Sequence, residues 1–242
     1  MTDKRTLADE IIAIADDLAA NANQLKFATP VTYVYNPLEY ARDAHSKYVQ
    51  KYAKSGVTLW VGMNPGPFGM AQTGVPFGDV AMASNFLKLK GKLGALPTQH
   101  PKRPIDGFDC PRSEVSGTRL WGYAREQFGT PAKFFKKFYV VNYCPLVFMG
   151  ETGKNITPDK LPVKEREALF NICDKALARI AQTMNARFVL GIGAFAKGAC
   201  ERALTGLAIP VGQILHPSPA SPAANRGWAE AAHKQLQKLQ LI

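Results

Sequence analysis

The chain has 242 residues, 46% of them hydrophobic and 20% charged, a composition that fits a folded globular protein and excludes a disordered one. It contains no run of about 18 apolar residues, which excludes a membrane-spanning helix, and the charged opening MTDKRTLADE lacks the apolar core of a secretion signal. Lys and Arg outnumber Asp and Glu by 30 to 19; the net charge of +11 favours a polyanionic partner, nucleic acid above all, with an unselective basic surface as the alternative.

In chain order, Leu7, Ile11, Ile14 and Leu18 repeat at helical spacing and predict a helix over residues 6–20, with Asp9 and Glu10 favouring its N-terminal end. Short apolar runs at 57–61 (VTLWV), 138–142 (FYVVN), 187–190 (RFVL) and 211–215 (VGQIL) predict strands. Amphipathic helices are predicted over 163–183, 194–205 and 222–239, the last entered through the cap and first-turn pair Ser221-Pro222. Fully apolar strands alternating with helices imply an α/β domain with a parallel sheet covered on both faces, and no linker or repeat divides the chain. The four cysteines form no C-x-x-C pair and the histidines are dispersed, so the thiols are read as buried apolar side chains and neither a metal nor a cofactor is expected. A cytoplasmic location is expected, nucleoid-associated in a prokaryote or nuclear in a eukaryote.

In an open parallel sheet, ligands bind beyond the carboxyl ends of the strands. Here those ends carry Asn64, Asn142 and His216, which converge on one expected pocket. The first loop, GMNPGPFGMAQTGVPFG (62–78), is stiffened by prolines and rich in glycine; it reads as a plain turn or as an anion cradle, but not as a Walker or dinucleotide loop. Phe68 and Phe77 within it are either core plugs or a base-stacking platform. The second loop, HPSPASPAANRGW (216–228), places a histidine at a strand end, either structural or catalytic, before a proline-stiffened helix entry.

These two segments, with VNYCPL (141–146) between them and with HPKRP, SEVSG and NITP elsewhere, closely resemble the single-strand-selective monofunctional uracil-DNA glycosylases. The resemblance covers roughly residues 57–228 and leaves the first ~30 residues, read as a peripheral helix, outside it. It implies a four-stranded parallel sheet between helices and a monomeric enzyme that excises uracil and C5-modified uracils from single- and double-stranded DNA. It further implies that Phe77 stacks on the flipped base and that Asn142 reads its Watson–Crick edge. His216 then donates to uracil O2, and Asn64 positions the attacking water. Met63 and Gly66 fall on the substrate-binding side, with glycine standing where another branch has a tyrosine against the C5 methyl. DNA contacts are expected from Lys154, Asn155, Lys160, Lys164, Ser218 and Ala220. Ala220 stands where relatives carry a duplex-wedging arginine, for which Arg226 is expected to compensate. A relative tuned to xanthine or hypoxanthine, and a base-flipping binder that does not cleave, are the rival readings.

Overall fold

The computed structural model describes residues 5–242. Its strands are β1 (Tyr33–Tyr35), β2 (Thr58–Gly62), β3 (Phe138–Asn142), β4 (Val147–Met149), β5 (Asn155–Ile156), β6 (Phe188–Ile192) and β7 (Val211–Ile214). The longer helices are α1 (Leu7–Asn23), α2 (Arg42–Tyr52), α3 (Val115–Phe128), α4 (Val163–Thr183), α5 (Ala194–Ala203) and α6 (Trp228–Lys238).

The parallel sheet runs in the order β3-β2-β6-β7. All five residues of β2 are buried, as are four of the five in β3 and in β6, which is why these strands read as unbroken apolar runs. The chain leaves β2 for β3, then crosses back to β6 on the other side of β2, so the topological switch, where α/β sheets open a crevice, lies beside β2. Trp60, Tyr123, Phe134 and Phe138 pack ring against ring beneath the sheet with centroids 5.2–6.4 Å apart.

The expected four-stranded parallel sheet is present; two expectations need correction and one feature is additional. The first helix is not peripheral in its packing. A capping box between Thr6 and Asp9 starts it, and Ile11, Ile14, Ala15, Leu18, Ala19 and Ala22 enter the main core against α2 and α4. The last predicted helix is broken: Pro222–Asn225 forms one turn, Gly227 takes φ +127°, and α6 starts anew at Trp228. A second, antiparallel sheet of order β1-β4-β5 adds to the predicted one, since strands of two or three residues leave no periodicity to read. The four cysteines are buried and free, as expected. Among the described residues no helix is long and apolar enough to cross a membrane.

Candidate active site

Gly62 and Asn142 are register partners at the ends of β2 and β3. The pairing continues past both strands: Tyr143 N–H donates to Gly62 O and Cys144 N–H to Met63 O, each at 2.9 Å, which fixes where Asn142 and Met63 stand. Gly62 permits a close approach. A Cβ placed on it would lie 2.6 Å from Phe77 Cε2 and would also collide with Asn142 Oδ1.

A cavity of about 660 Å³ opens here, and it gathers Met63, Asn64, Gly66, Phe77, Asn142, Asn155, His216, Ser218 and Ala220 around one space. These nine residues, all singled out by the sequence, thus share a wall. Asn155 also borders an adjoining groove that carries Lys154 and Lys160. Lys164 and Arg226 line neither space, and Arg226 is exposed beyond the Pro222–Asn225 turn.

Each central side chain is oriented by neighbours. Nδ1 of His216 accepts from Ser218 N–H at 3.0 Å, so the ring proton sits on Nε2. Burial lowers its pKa below the usual histidine value, favouring the neutral ring. Asn64, which lines the cavity, donates from Nδ2 to Leu146 O at 3.1 Å, so its Oδ1 remains available as an acceptor. Asn142 donates from Nδ2 to Met70 Sδ at 3.1 Å, a weak acceptor, while its Oδ1 is enclosed with no partner among the described residues. Phe77 is buried and holds φ at +54°, a left-handed conformation that a bulky residue adopts only when its surroundings enforce it. Its ring centroid lies 6.2 Å from that of His216.

The other aromatic candidate stands differently. Phe68 sits at the rim, half-buried, with the guanidinium of Arg112 over its ring at 3.9 Å and that of Arg103 at 5.2 Å.

Several residues that sequence reasoning missed hold this arrangement together. Buried Gln72 donates to Pro67 O and Pro104 O and accepts from Asp106 and Gly107 N–H, tying the glycine-rich loop to the HPKRP segment. Asp79 accepts from Met82 N–H, Ser113 Oγ and Glu114 N–H, which locks the backbone just after Phe77 onto the start of α3. Arg119 donates to Pro217 O, Ser218 O and Asn225 Oδ1, while Asn225 Nδ2 donates to Pro219 O. Trp228 Nε1 donates to Leu215 O at 2.6 Å and Gln235 accepts from Leu215 N–H, clamping the residue before His216 from α6. Glu114 also lines the cavity, and the space beside Gly66 is not vacant: a Cβ there would lie 2.9 Å from Glu114 Cδ.

A cavity beyond the carboxyl ends of parallel strands, lined by an amide whose acceptor has no partner among the described residues and by a histidine that burial holds towards its neutral form, defines an α/β protein with a polar ligand site at the topological switch of its sheet. Comparison with known proteins narrows this. The chain is 47% identical over 241 residues to the single-strand selective monofunctional uracil-DNA glycosylase of Rattus norvegicus, covering 98% of this chain and 87% of that one. It is 46% identical to the Bos taurus protein of the same name, covering 98% and 89%. The chain belongs to the single-strand selective monofunctional uracil-DNA glycosylase family. The similarity takes in α1 as well, so the first ~30 residues, expected to lie outside it, are largely included. The crystal structure of Pedobacter heparinus SMUG2 superposes with a TM-score of 0.65 at 16% identity, covering 94% of this chain and 97% of that one, and supports the fold. No protein-family model matches the chain.

Proposed function

We propose that this protein draws a uracil nucleotide out of DNA into the cavity and hydrolyses its N-glycosidic bond, leaving an abasic site and free base. The observation that carries the reading is Asn142. An enclosed acceptor without a partner costs about 1–3 kcal/mol, and a ligand that donates to it recovers that cost. Uracil offers N3–H to Oδ1 and O4 to Nδ2, replacing the weak thioether contact. Cytosine presents the reverse pattern at both atoms, so the same amide that welcomes uracil repels it.

Extruding the nucleotide costs a few kcal/mol, and stacking on Phe77 offsets about 1–3 kcal/mol of this. As the bond to the sugar stretches, negative charge collects on the base. The Nε2–H of His216, the tautomer its Nδ1 contact selects, would donate to O2, where that charge develops, and a neutral imidazole serves without any proton transfer. Oδ1 of Asn64 accepts a hydrogen bond from the attacking water. An amide cannot remove a proton as a carboxylate does, so the bond must break largely ahead of attack. Among the described residues no lysine lines the cavity, in keeping with hydrolysis that forms no Schiff base and cuts no strand. C5-modified uracils are accepted alongside uracil, and the enzyme acts as a monomer on single- and double-stranded DNA.

Base release under single-turnover conditions, from matched oligonucleotides carrying uracil, 5-hydroxymethyluracil, thymine, xanthine or hypoxanthine, tests this. The expected result is release of uracil and 5-hydroxymethyluracil with alkali-labile product. Faster release of a purine, or tight binding to uracil DNA that stays alkali-stable, overturns it.

A further inference from the structure

Phe68 is neither a core plug nor a bare face for a base. It stands half-buried at the rim of the cavity, and its ring is already engaged. The guanidinium carbon of Arg112 lies 3.9 Å from the ring centroid and that of Arg103 5.2 Å from it. Three separate loops supply these side chains, and each loop is tied down. Gln72 donates to Pro67 O, beside Phe68, and to Pro104 O, beside Arg103, both at 2.9 Å. Arg103 N–H donates to His100 O, and Arg103 O accepts from the Tyr35 hydroxyl, each at 2.8 Å. Directly after Arg112, the hydroxyl of Ser113 and the N–H of Glu114 both donate to Asp79 Oδ2, at 2.7 and 2.9 Å.

Two cations held against one ring repel each other, and among the described residues neither has a carboxylate within ion-pair distance. The guanidinium of Arg112 donates to no acceptor among them, and that of Arg103 reaches only the adjacent Lys102 O, at 3.0 Å. At 3.9 Å, Arg112 engages the ring through its flat face and keeps free the N–H edge that binds phosphate through two parallel bonds. Uncompensated positive charge with unused donors calls for an anion rather than for a base. An extruded nucleotide supplies one: its base enters the cavity while the phosphates on either side of it stay at the rim.

We propose that Phe68, Arg112 and Arg103 form a phosphate clamp, in which the ring holds two guanidiniums ready to bind a backbone phosphate adjacent to the extruded nucleotide. The proposal rests on the uracil-excising reading above. A free surface lysine must be ordered when it meets DNA, whereas a stacked arginine is in place beforehand. Contacts of this kind fix where the strand lies and carry no sequence information of their own.

The test uses single-stranded uracil oligonucleotides in which one phosphate at a time is replaced by an uncharged methylphosphonate. Single-turnover excision against enzyme concentration gives affinity and rate for the wild type, Arg112→Ala, Arg112→Lys and Phe68→Leu; Arg112 is exposed, so its replacement spares the fold. In the wild type, neutralising one phosphate next to the uracil weakens affinity about tenfold or more. Arg112→Ala weakens binding of the unmodified strand by a similar factor, and the same methylphosphonate then costs less than about twofold more, so the two losses do not add. Arg112→Lys keeps the charge without the planar fork and recovers only part of the loss. Phe68→Leu keeps both charges but removes the ring beneath them, and it shows the same failure to add at the same phosphate. Losses that add at every position, or an Arg112→Ala variant that binds like the wild type, overturn the clamp. A wild type that releases no uracil from the unmodified strand overturns the parent reading instead, and the clamp is then judged by binding to the same set of strands.

Discussion

In the proposed reaction, single hydrogen bonds orient the side chains assigned to it. Ser218 N–H on Nδ1 decides that His216 presents a proton, rather than a lone pair, to the cavity. His216→Ala is expected to slow single-turnover excision by about 10²–10³-fold, the usual loss for one such donor, with affinity for uracil DNA largely kept. Near-wild-type rates would remove it from the mechanism. Protonating the ring would set a second N–H against Ser218 N–H, and burial already lowers its pKa. The acid limb of the excision profile should therefore lie below the ordinary histidine value of about 6.5. The same shift makes folding stability full above that value and diminishing as pH falls through it, because the unfolded chain takes up the proton first. Glu114 has the opposite sign. Its folded pKa is raised to about 7 from 4.5, so its contribution is present at acid pH and lost as pH rises through the window between them. Glu114→Gln should raise the melting temperature, relative to the wild type, more at pH 8 than at pH 5; equal shifts at both would show that the carboxyl does not change its charge. Asn142→Asp replaces the donor toward O4 with an acceptor, and uracil excision measured at neutral pH should fall at least tenfold.

At the scale of elements, the two signature loops are held by side chains from elsewhere. Arg119 on α3 braces the 217–225 loop through three acceptors, and Trp228 on α6 fixes Leu215. Arg119→Ala should lower kcat more than it raises KM for uracil oligonucleotides, because it frees the loop that sets His216 without touching the base; a loss confined to melting temperature would reduce it to a fold contact. Gln72→Ala strands four backbone groups between two loops and should destabilise the fold by about 2–4 kcal/mol in denaturant titration. The same contrast marks how far the sequence can be read. The strand-end residues Asn64, Asn142 and His216 are legible because they are polar residues that close apolar runs, and the four strands because burial on both faces makes them uniformly apolar. Asp79, Arg119 and Gln72 are not, since their partners are backbone groups that any residue carries. Glu114 lies inside SEVSG, where nothing in the spacing marks its carboxylate as different from a solvated one. The break before α6 turns on the left-handed region at Gly227, where one glycine in a helical pattern is an ambiguous sign.

At the scale of the whole molecule, four basic side chains stand at the margins of the cavity rather than within it. Lys154 and Lys160 border the groove that joins the cavity at Asn155, while Arg103 and Arg112 flank Phe68 on the other rim. A strand whose target base is extruded would run between these rims. Replacing Lys154 and Lys160 together by alanine should flatten the slope of log affinity against log salt by about 1.4 on single-stranded DNA, roughly 0.7 for each phosphate no longer neutralised. An unchanged slope would mean that the two lysines face solvent only.

The missing methyl at Gly62 sets the gauge of the whole device. Two rulers, the aromatic ring of Phe77 and the amide of Asn142, close on that single position, so the aperture for a flat guest is calibrated by one absent carbon. Any larger residue there would keep every reactive group in the chain, yet jam the slot in which they meet.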